Sequence, residues 1–229
     1  MKIIFASVAL FAFASQPAVA DGFINRIPLE RIMPPPPARG SATEQAEIAE
    51  ILKSQASATP AQRAAAKWDN DHEDWTIFKS VLGDKWDLEK LPKTKFLVER
   101  IMDVDRADSS ESKKYFKRAR PWIVNPQIKT CAEHETGPAE TSYPSGHTML
   151  GFELGVVLAS LMPNNAKVIL ARAQQYGESR IVCGFHFRSD VTAGQQFGTV
   201  LAIEMMAHPM FRGWFNEARA ELIKAGLTK

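Results

Sequence analysis

Three stretches of the 229-residue sequence concentrate cations, hydroxyls and imidazoles. The first is Lys113-Lys114-Tyr115-Phe116-Lys117-Arg118-Ala119-Arg120-Pro121. The second is Tyr143-Pro144-Ser145-Gly146-His147-Thr148. The third runs from Ser179-Arg180 through Cys183-Gly184-Phe185-His186 to Ser189-Asp190. Lys113, Arg120 and Arg180 are cations, and an arginine fork matches the oxygens of a phosphate. Ser145 adds a hydroxyl. Gly146 and His147 stand where a helix would begin, so their amides and the helix dipole favour an anion. Together these groups would cage a tetrahedral dianion.

The two histidines supply what a cage lacks. Asp190 lies four residues after His186. With His186 ending a loop and Asp190 opening a helix, the carboxylate would accept from one ring nitrogen and free the other to attack phosphorus. His147 then suits the general acid that protonates a leaving oxygen. Taken singly, each stretch has a plainer reading: a solvated basic face, a turn before a helix, an i, i+4 pair. Their co-occurrence favours phosphoryl transfer.

The elements that must position these residues read as helices. Ser41 or Thr43 caps a helix to about Gln55, and Thr59-Pro60 opens another. Residues 75–82 form a short helix stopped by Gly83. Pro92 starts a long one with Phe96, Leu97, Ile101 and Val104 on one side. Residues 149–162 make a buried helix interrupted by Glu153. Asn164 or Asn165 caps a helix to about Arg180, and Ser189 or Asp190 starts another that ends near His208-Pro209. Phe211, Trp214, Phe215, Ala218 and Leu222 define the last, with Gly226 as its stop. Gly151 and Gly155, and Gly194 and Gly198, would let helices approach closely. Period-two alternation is absent. The expected fold is all-α, a single helical domain over residues 41–229 preceded by a proline-rich N-terminal arm, 21–40, that carries Pro34 to Pro37.

Residues 1–20 carry a short positive start, an apolar run and Ala18-Val19-Ala20, the pattern of a cleavable signal peptide with a mature start at Asp21. The run is too short to span a bilayer. Net charge is only +2, which speaks against a nucleic-acid binder relying on a broad basic surface. Export permits a disulfide between the two cysteines, Cys131 and Cys183, 52 positions apart; the alternative is two buried thiols.

At these residues the chain resembles the type-2 phosphatidic acid phosphatase superfamily, whose signature is Lys-x6-Arg-Pro, Pro-Ser-Gly-His and Ser-Arg-x5-His-x3-Asp. Lys113, Arg120 and Pro121 match the first part, Pro144 to His147 the second, and Ser179, Arg180, His186 and Asp190 the third. Within it the chain is similar to class A bacterial non-specific acid phosphatases, through Ser142 to Thr148, the proline-rich arm and the cysteine in the third stretch. It departs at Thr141, where the class has glycine, and in the loop 132–136. Both departures bear on the substrate rim.

The resemblance implies a periplasmic, metal-independent acid phosphatase with no cofactor, acting on many small phosphate monoesters, with phosphoryl transfer to alcohols or nucleosides a possible second outcome. His186 would be the nucleophile, His147 the general acid and base, and Asp190 the group that orients His186. Lys113, Arg120, Ser145, Gly146 and Arg180 would bind phosphate. Inhibition by vanadate and phosphate, a homodimer, and the absence of nucleic-acid or membrane partners are further implications. Rival readings are a vanadate-dependent haloperoxidase, a lipid phosphatase of the same superfamily and a non-catalytic phosphate binder. His134 could touch substrate from the rim. His72 and His208 lie outside the motifs, with His208 a cap or solvent-facing residue. Trp122, Tyr143, Phe185 and Phe187 read as core packing or as an aromatic wall.

Overall fold

The computed structural model describes residues 32–133 and 140–229. The expected signal peptide and mature start at Asp21, the first part of the expected arm, and His134 lie outside the described residues. The rest is all-α, with no strand among the described residues.

Among the described residues, seven longer helices carry the fold. α1 spans Ala42–Ser57 and α2 spans Pro60–Asp71. α3 spans Pro92–Phe116, α4 Gly146–Leu161 and α5 Ala166–Val182. α6 spans Arg188–Ala207 and α7 Pro209–Lys224. Single turns at Trp75–Phe78, Lys79–Leu82, Leu88–Lys90 and Pro121–Val124 bridge the longer elements.

Local chemistry explains most of the boundaries. The Ser41 hydroxyl accepts from the Glu44 amide, and Thr59 and Gln62 exchange the two bonds of a capping box. Gly83 and Gly226 end their turns with positive φ, as expected of glycine stops. Asn165 precedes α5 but makes no side-chain cap bond; a 3-10 turn at Pro163–Asn165 leads into the helix instead. α6 begins at Arg188, one residue before the expected start. Its third residue, Asp190, reaches back to accept from the Phe187 amide at 2.9 Å.

α4 is apolar on nearly every side, and such a helix belongs at the centre. It packs against α5 and α6, with α3 along another side and α7 closing over α3. Glycines permit the contact with α6. A Cβ on Gly194 would stand 2.6 Å from the Ser145 carbonyl oxygen, and one on Gly198 would collide with the Met149 carbonyl oxygen. The α4–α5 crossing is as tight, because a Cβ on Gly151 would lie 2.9 Å from Tyr176. On α3 the buried face is Leu97, Val98 and Ile101. Each such side chain contributes about 1.5–3 kcal/mol by leaving water. Phe96, expected on that face, is 43% exposed and meets Trp214 of α7 edge-on instead.

The described part of the arm lies on the body. The Tyr143 hydroxyl donates to the Pro34 carbonyl at 2.7 Å, and Met33 packs on the core. Tyr143 and Pro144 are joined by a cis peptide bond immediately before α4.

Candidate active site

The loop between α5 and α6 delivers His186, and the start of α6 delivers Asp190. The disulfide between Cys131 and Cys183 ties the end of α5 to the loop after Pro121–Val124. Gly184 follows with φ +69°, and a Cβ there would meet the Lys129 carbonyl oxygen at 2.7 Å. The chain therefore turns sharply just before the imidazole, a turn suited to glycine.

His186 is buried, and Arg120 Nη1 reaches both of its nitrogens, Nε2 at 2.8 Å and Nδ1 at 3.3 Å, but the other partners lie on the Nδ1 side. Nδ1 lies 2.8 Å from the Ser142 carbonyl oxygen and 3.4 Å from Asp190 Oδ2. Two acceptors on one side assign the proton to Nδ1. Nε2 is then the bare nitrogen, and it accepts from Arg120 Nη1 at 2.8 Å. Burial pushes the His186 pKa well below its ordinary value, and the charges of Arg120, Arg180, Lys113 and His147 push it further. From sequence, the cationic cage and the Asp190 carboxylate pull in opposite directions; in the folded chain burial and the cations win. The ring is held neutral, with the lone pair of Nε2 engaged by the Arg120 guanidinium.

Asp190 is held mainly by others. Its Oδ1 accepts from Arg118 Nη1 at 2.6 Å, and its Oδ2 from the Ser142 hydroxyl at 2.6 Å. Arg118 in turn donates to Glu47 of α1 at 2.8 Å and lies over the Phe187 ring at 4.0 Å. Burial raises the Asp190 pKa to about 6, against the opposing pull of Arg118, Ser142 and the Phe187 amide.

The expected cations gather around the same imidazole. Arg120 also donates to the Phe185 carbonyl at 2.9 Å. Arg180 is 1% exposed, lies 5.0 Å over Phe185 and donates from Nη2 to Asn70 Oδ1 at 2.8 Å. Its Nε and Nη1 are buried and have no partner among the described residues. Lys113 Nζ would be 3.1 Å from a Cβ on Gly146, so the ammonium sits at the first turn of α4. Ser145 is the N-cap of that helix: its oxygen accepts from the Thr148 hydroxyl at 2.9 Å and its amide donates to the Asp190 carbonyl at 3.1 Å. That last bond joins the second stretch to the third. Burial comes first among the causes that lower both Lys113 and Arg120, and Arg120 falls to about 10.

His147 faces a segment that the motifs do not include. Its Nδ1 lies 2.9 Å from Glu73 Oε1, and its Nε2 lies 3.3 Å from the Asn70 carbonyl oxygen. Burial and then Arg180 lower its pKa, while Glu73 and Asn70 oppose them. Burial acts to raise Glu73, but His147, Lys113 and Arg180 outweigh it and hold the carboxylate at about 2. The end of α2 is itself fixed: buried Asp69 pairs with Arg172 and accepts from Ser179 Oγ at 2.5 Å. Asn70, Glu73, Arg118 and Glu47 thus escaped the sequence reading. For Asn70 and Glu73 the signal was the polar density of Asp-Asn-Asp-His-Glu-Asp at the end of a helix, and for Arg118 its place in the basic run 113–121.

The flanking aromatics divide. Phe187 and Tyr143 are core, whereas Trp122 and Phe185 meet edge-on with ring centres 5.1 Å apart, beside Arg120 and Arg180. His72 stacks on Trp68, and His208 caps α7 by accepting from the Met210 amide at 3.3 Å. Among the described residues, no three of His, Cys, Asp and Glu form a set that could hold a metal, and no helix is long and apolar enough to cross a membrane.

Comparison with known proteins places this arrangement in a class. The PAP2 superfamily profile matches residues 101–214, the span that includes all three stretches. The chain is 32% identical to an acid phosphatase of Zymomonas mobilis over 83% of its own length and 74% of that protein's. It is 33% identical to a non-specific acid phosphatase of Salmonella typhimurium, over 64% of this chain and 59% of that one. A transmembrane PAP2-type phosphatidylglycerolphosphate phosphatase from Bacillus subtilis shares the fold, with a TM-score of 0.54 at 16% identity over 83% of this chain and 91% of that one. The chain belongs to the PAP2 superfamily. Its relatives there include phosphatases.

Proposed function

We propose that this chain is an exported phosphomonoesterase that works through a phosphohistidine. The observation that carries the reading is Arg180, a buried guanidinium with two unpartnered nitrogens, Nε and Nη1, beside a neutral histidine. A buried cation left half satisfied is costly, and an anionic substrate would complete its bonds. Phosphate would sit among Lys113, Arg120, Arg180 and the first turn of α4, with the Ser145 hydroxyl beside it.

In the first step His186 Nε2 attacks phosphorus in line. The bond to the leaving oxygen breaks as His147 gives that oxygen its proton. The phosphorylated ring is cationic, and the Asp190 carboxylate beside Nδ1 stabilises it. In the second step His147 takes a proton from water as the oxygen attacks phosphorus. The N–P bond breaks and orthophosphate leaves. Positioning and fixed charge supply most of the rate. Broad monoester specificity, metal independence, vanadate inhibition, a periplasmic site of action and a homodimer belong to the same reading. The acid phosphatases of Zymomonas and Salmonella support it by similarity.

The test is turnover of p-nitrophenyl phosphate by the mature chain, with and without a chelator. Competitive inhibition by orthophosphate and vanadate should accompany it. Arg180→Met should lower kcat/KM by at least 10- to 100-fold, the loss expected for one charge-assisted contact. Phosphate binding without turnover would leave only a scavenging protein. Activity that a chelator abolishes and added metal restores would overturn metal independence.

A further inference from the structure

We propose that Glu73 is a specificity-determining residue: a carboxylate that occupies the leaving-group side of the phosphate cage, is displaced from His147 by substrate, and then disfavours anionic leaving groups. The proposal rests on the phosphatase reading above and adds a residue to it.

The two nitrogens of His147 are held differently. Nε2 faces the Asn70 carbonyl, a backbone group at the end of a helix locked by Asp69, Arg172 and Ser179. Nδ1 faces Glu73 Oε1 at 2.9 Å, and the Glu73 side chain is 48% exposed. Only the proton on Nδ1 can be given to a leaving oxygen without moving backbone, and Glu73 stands in that direction. The same Oε1 would lie 3.6 Å from a Cβ on Gly146, a point that Lys113 Nζ approaches to 3.1 Å. The carboxylate is therefore beside both the lysine and the first turn of α4. Its charge also acts on Arg120 and Arg180. Glu73 is the resident anion of a site built for a dianion.

Two consequences follow from Coulomb's law at short range. A phosphate must compete with Glu73 for the same cations and for the His147 proton. Once displaced, Glu73 remains tethered next to the departing group, because the residue that protonates that group is its own partner. A leaving group that is itself an anion meets an unfavourable charge there, whereas a hydroxyl-bearing one finds an acceptor.

The experiment compares wild type with Glu73→Gln, which keeps the shape and an acceptor for Nδ1–H while removing the charge. Calorimetric titration at pH 5.5 with orthophosphate alone reads displacement without turnover. The expected result is about a tenfold lower Kd in Glu73→Gln, of the order of one partly screened unit charge. The ratio of kcat/KM for pyrophosphate to that for glycerol 2-phosphate should rise by about tenfold as well. An unchanged Kd with an unchanged ratio overturns the proposal. So does an unchanged Kd with kcat lost on glycerol 2-phosphate and kept on 2,4-dinitrophenyl phosphate, the pattern of a residue that only positions the acid. Wild-type protein that hydrolyses no ester would end the phosphatase reading, while the phosphate titration would still decide whether Glu73 competes with the anion.

Discussion

Arg118 Nη1 donates to Asp190 Oδ1 at 2.6 Å, and both side chains are shut away from water. The carboxylate paired with the candidate nucleophile is thus gripped first by an arginine, which in turn is neutralised by Glu47. Breaking a buried pair leaves an uncompensated charge and costs about 3–5 kcal/mol. Arg118→Ala should lower unfolding free energy by about that amount in denaturant titration. It should also cut kcat sharply, because Asp190 is then driven further toward its protonated form. Wild-type stability would show that the pair contributes nothing.

The pH dependence follows from the two imidazoles and Asp190. His147 must carry a proton to act, and burial, then Arg180, hold its pKa below 6.5. Activity is therefore full below that lowered pKa and lost as pH rises through it. His186 must be neutral, and its pKa is pushed so low that it imposes no limb near the optimum. The acid limb belongs to Asp190, whose carboxyl burial raises to about 6 and which must be ionised beside the imidazole. The profile of kcat/KM should be a bell on the acid side of neutrality. An alkaline limb above pH 7 would contradict the assignment.

Of this site, the parts written as contiguous motifs were legible in the sequence. His186 and Asp190 are four residues apart, so a loop-to-helix junction alone brings them close, and Ser145 to His147 mark a helix start by residue type. Convergence of Lys113, Arg120 and Arg180 was inferred from the chemistry they would share. Glu73 and Asn70 could not be read in this way. Their contacts to His147 and Arg180 span 74 and 110 positions, and locally they are an ordinary polar helix end. Arg118 sat in plain view among cations, but nothing in the run says which points inward. Phe96 has the right spacing for the core, yet it stands at the surface against Trp214 of α7.

Glu153 lies in the middle of α4, fully buried, facing Asp105 of α3. Burial raises both pKa values well above the ordinary carboxyl range; Asp105 then adds to the rise of Glu153, and Glu73 to that of Asp105. The folded chain then holds protons that the unfolded chain has released. The stability this contributes is present below the unfolded pKa near 4 and is lost as pH rises toward the folded values. Glu153→Gln should flatten that loss, with a higher Tm than wild type at pH 8 and little difference at pH 4. Each kcal/mol recovered corresponds to roughly 2–4 °C. Parallel Tm curves for the two proteins would refute it.

The bond between Cys131 and Cys183 closes a separation of 52 residues. The chain-entropy relation gives about 4 kcal/mol for such a loop. Replacing both cysteines with serine should lower unfolding free energy by about 2–4 kcal/mol. It should also reduce kcat, because the bond anchors the turn that presents His186. Loss of stability with unchanged kcat would separate the bond from the site.

The central claim is that phosphorus passes through His186 Nε2. Rapid acid-free quenching of the protein with a labelled phosphate monoester, followed by peptide mapping, tests it most directly. The account predicts an acid-labile, base-stable label on His186 that forms and decays at rates compatible with turnover, and none in His186→Ala. A label on another residue, or full turnover by His186→Ala, would contradict it.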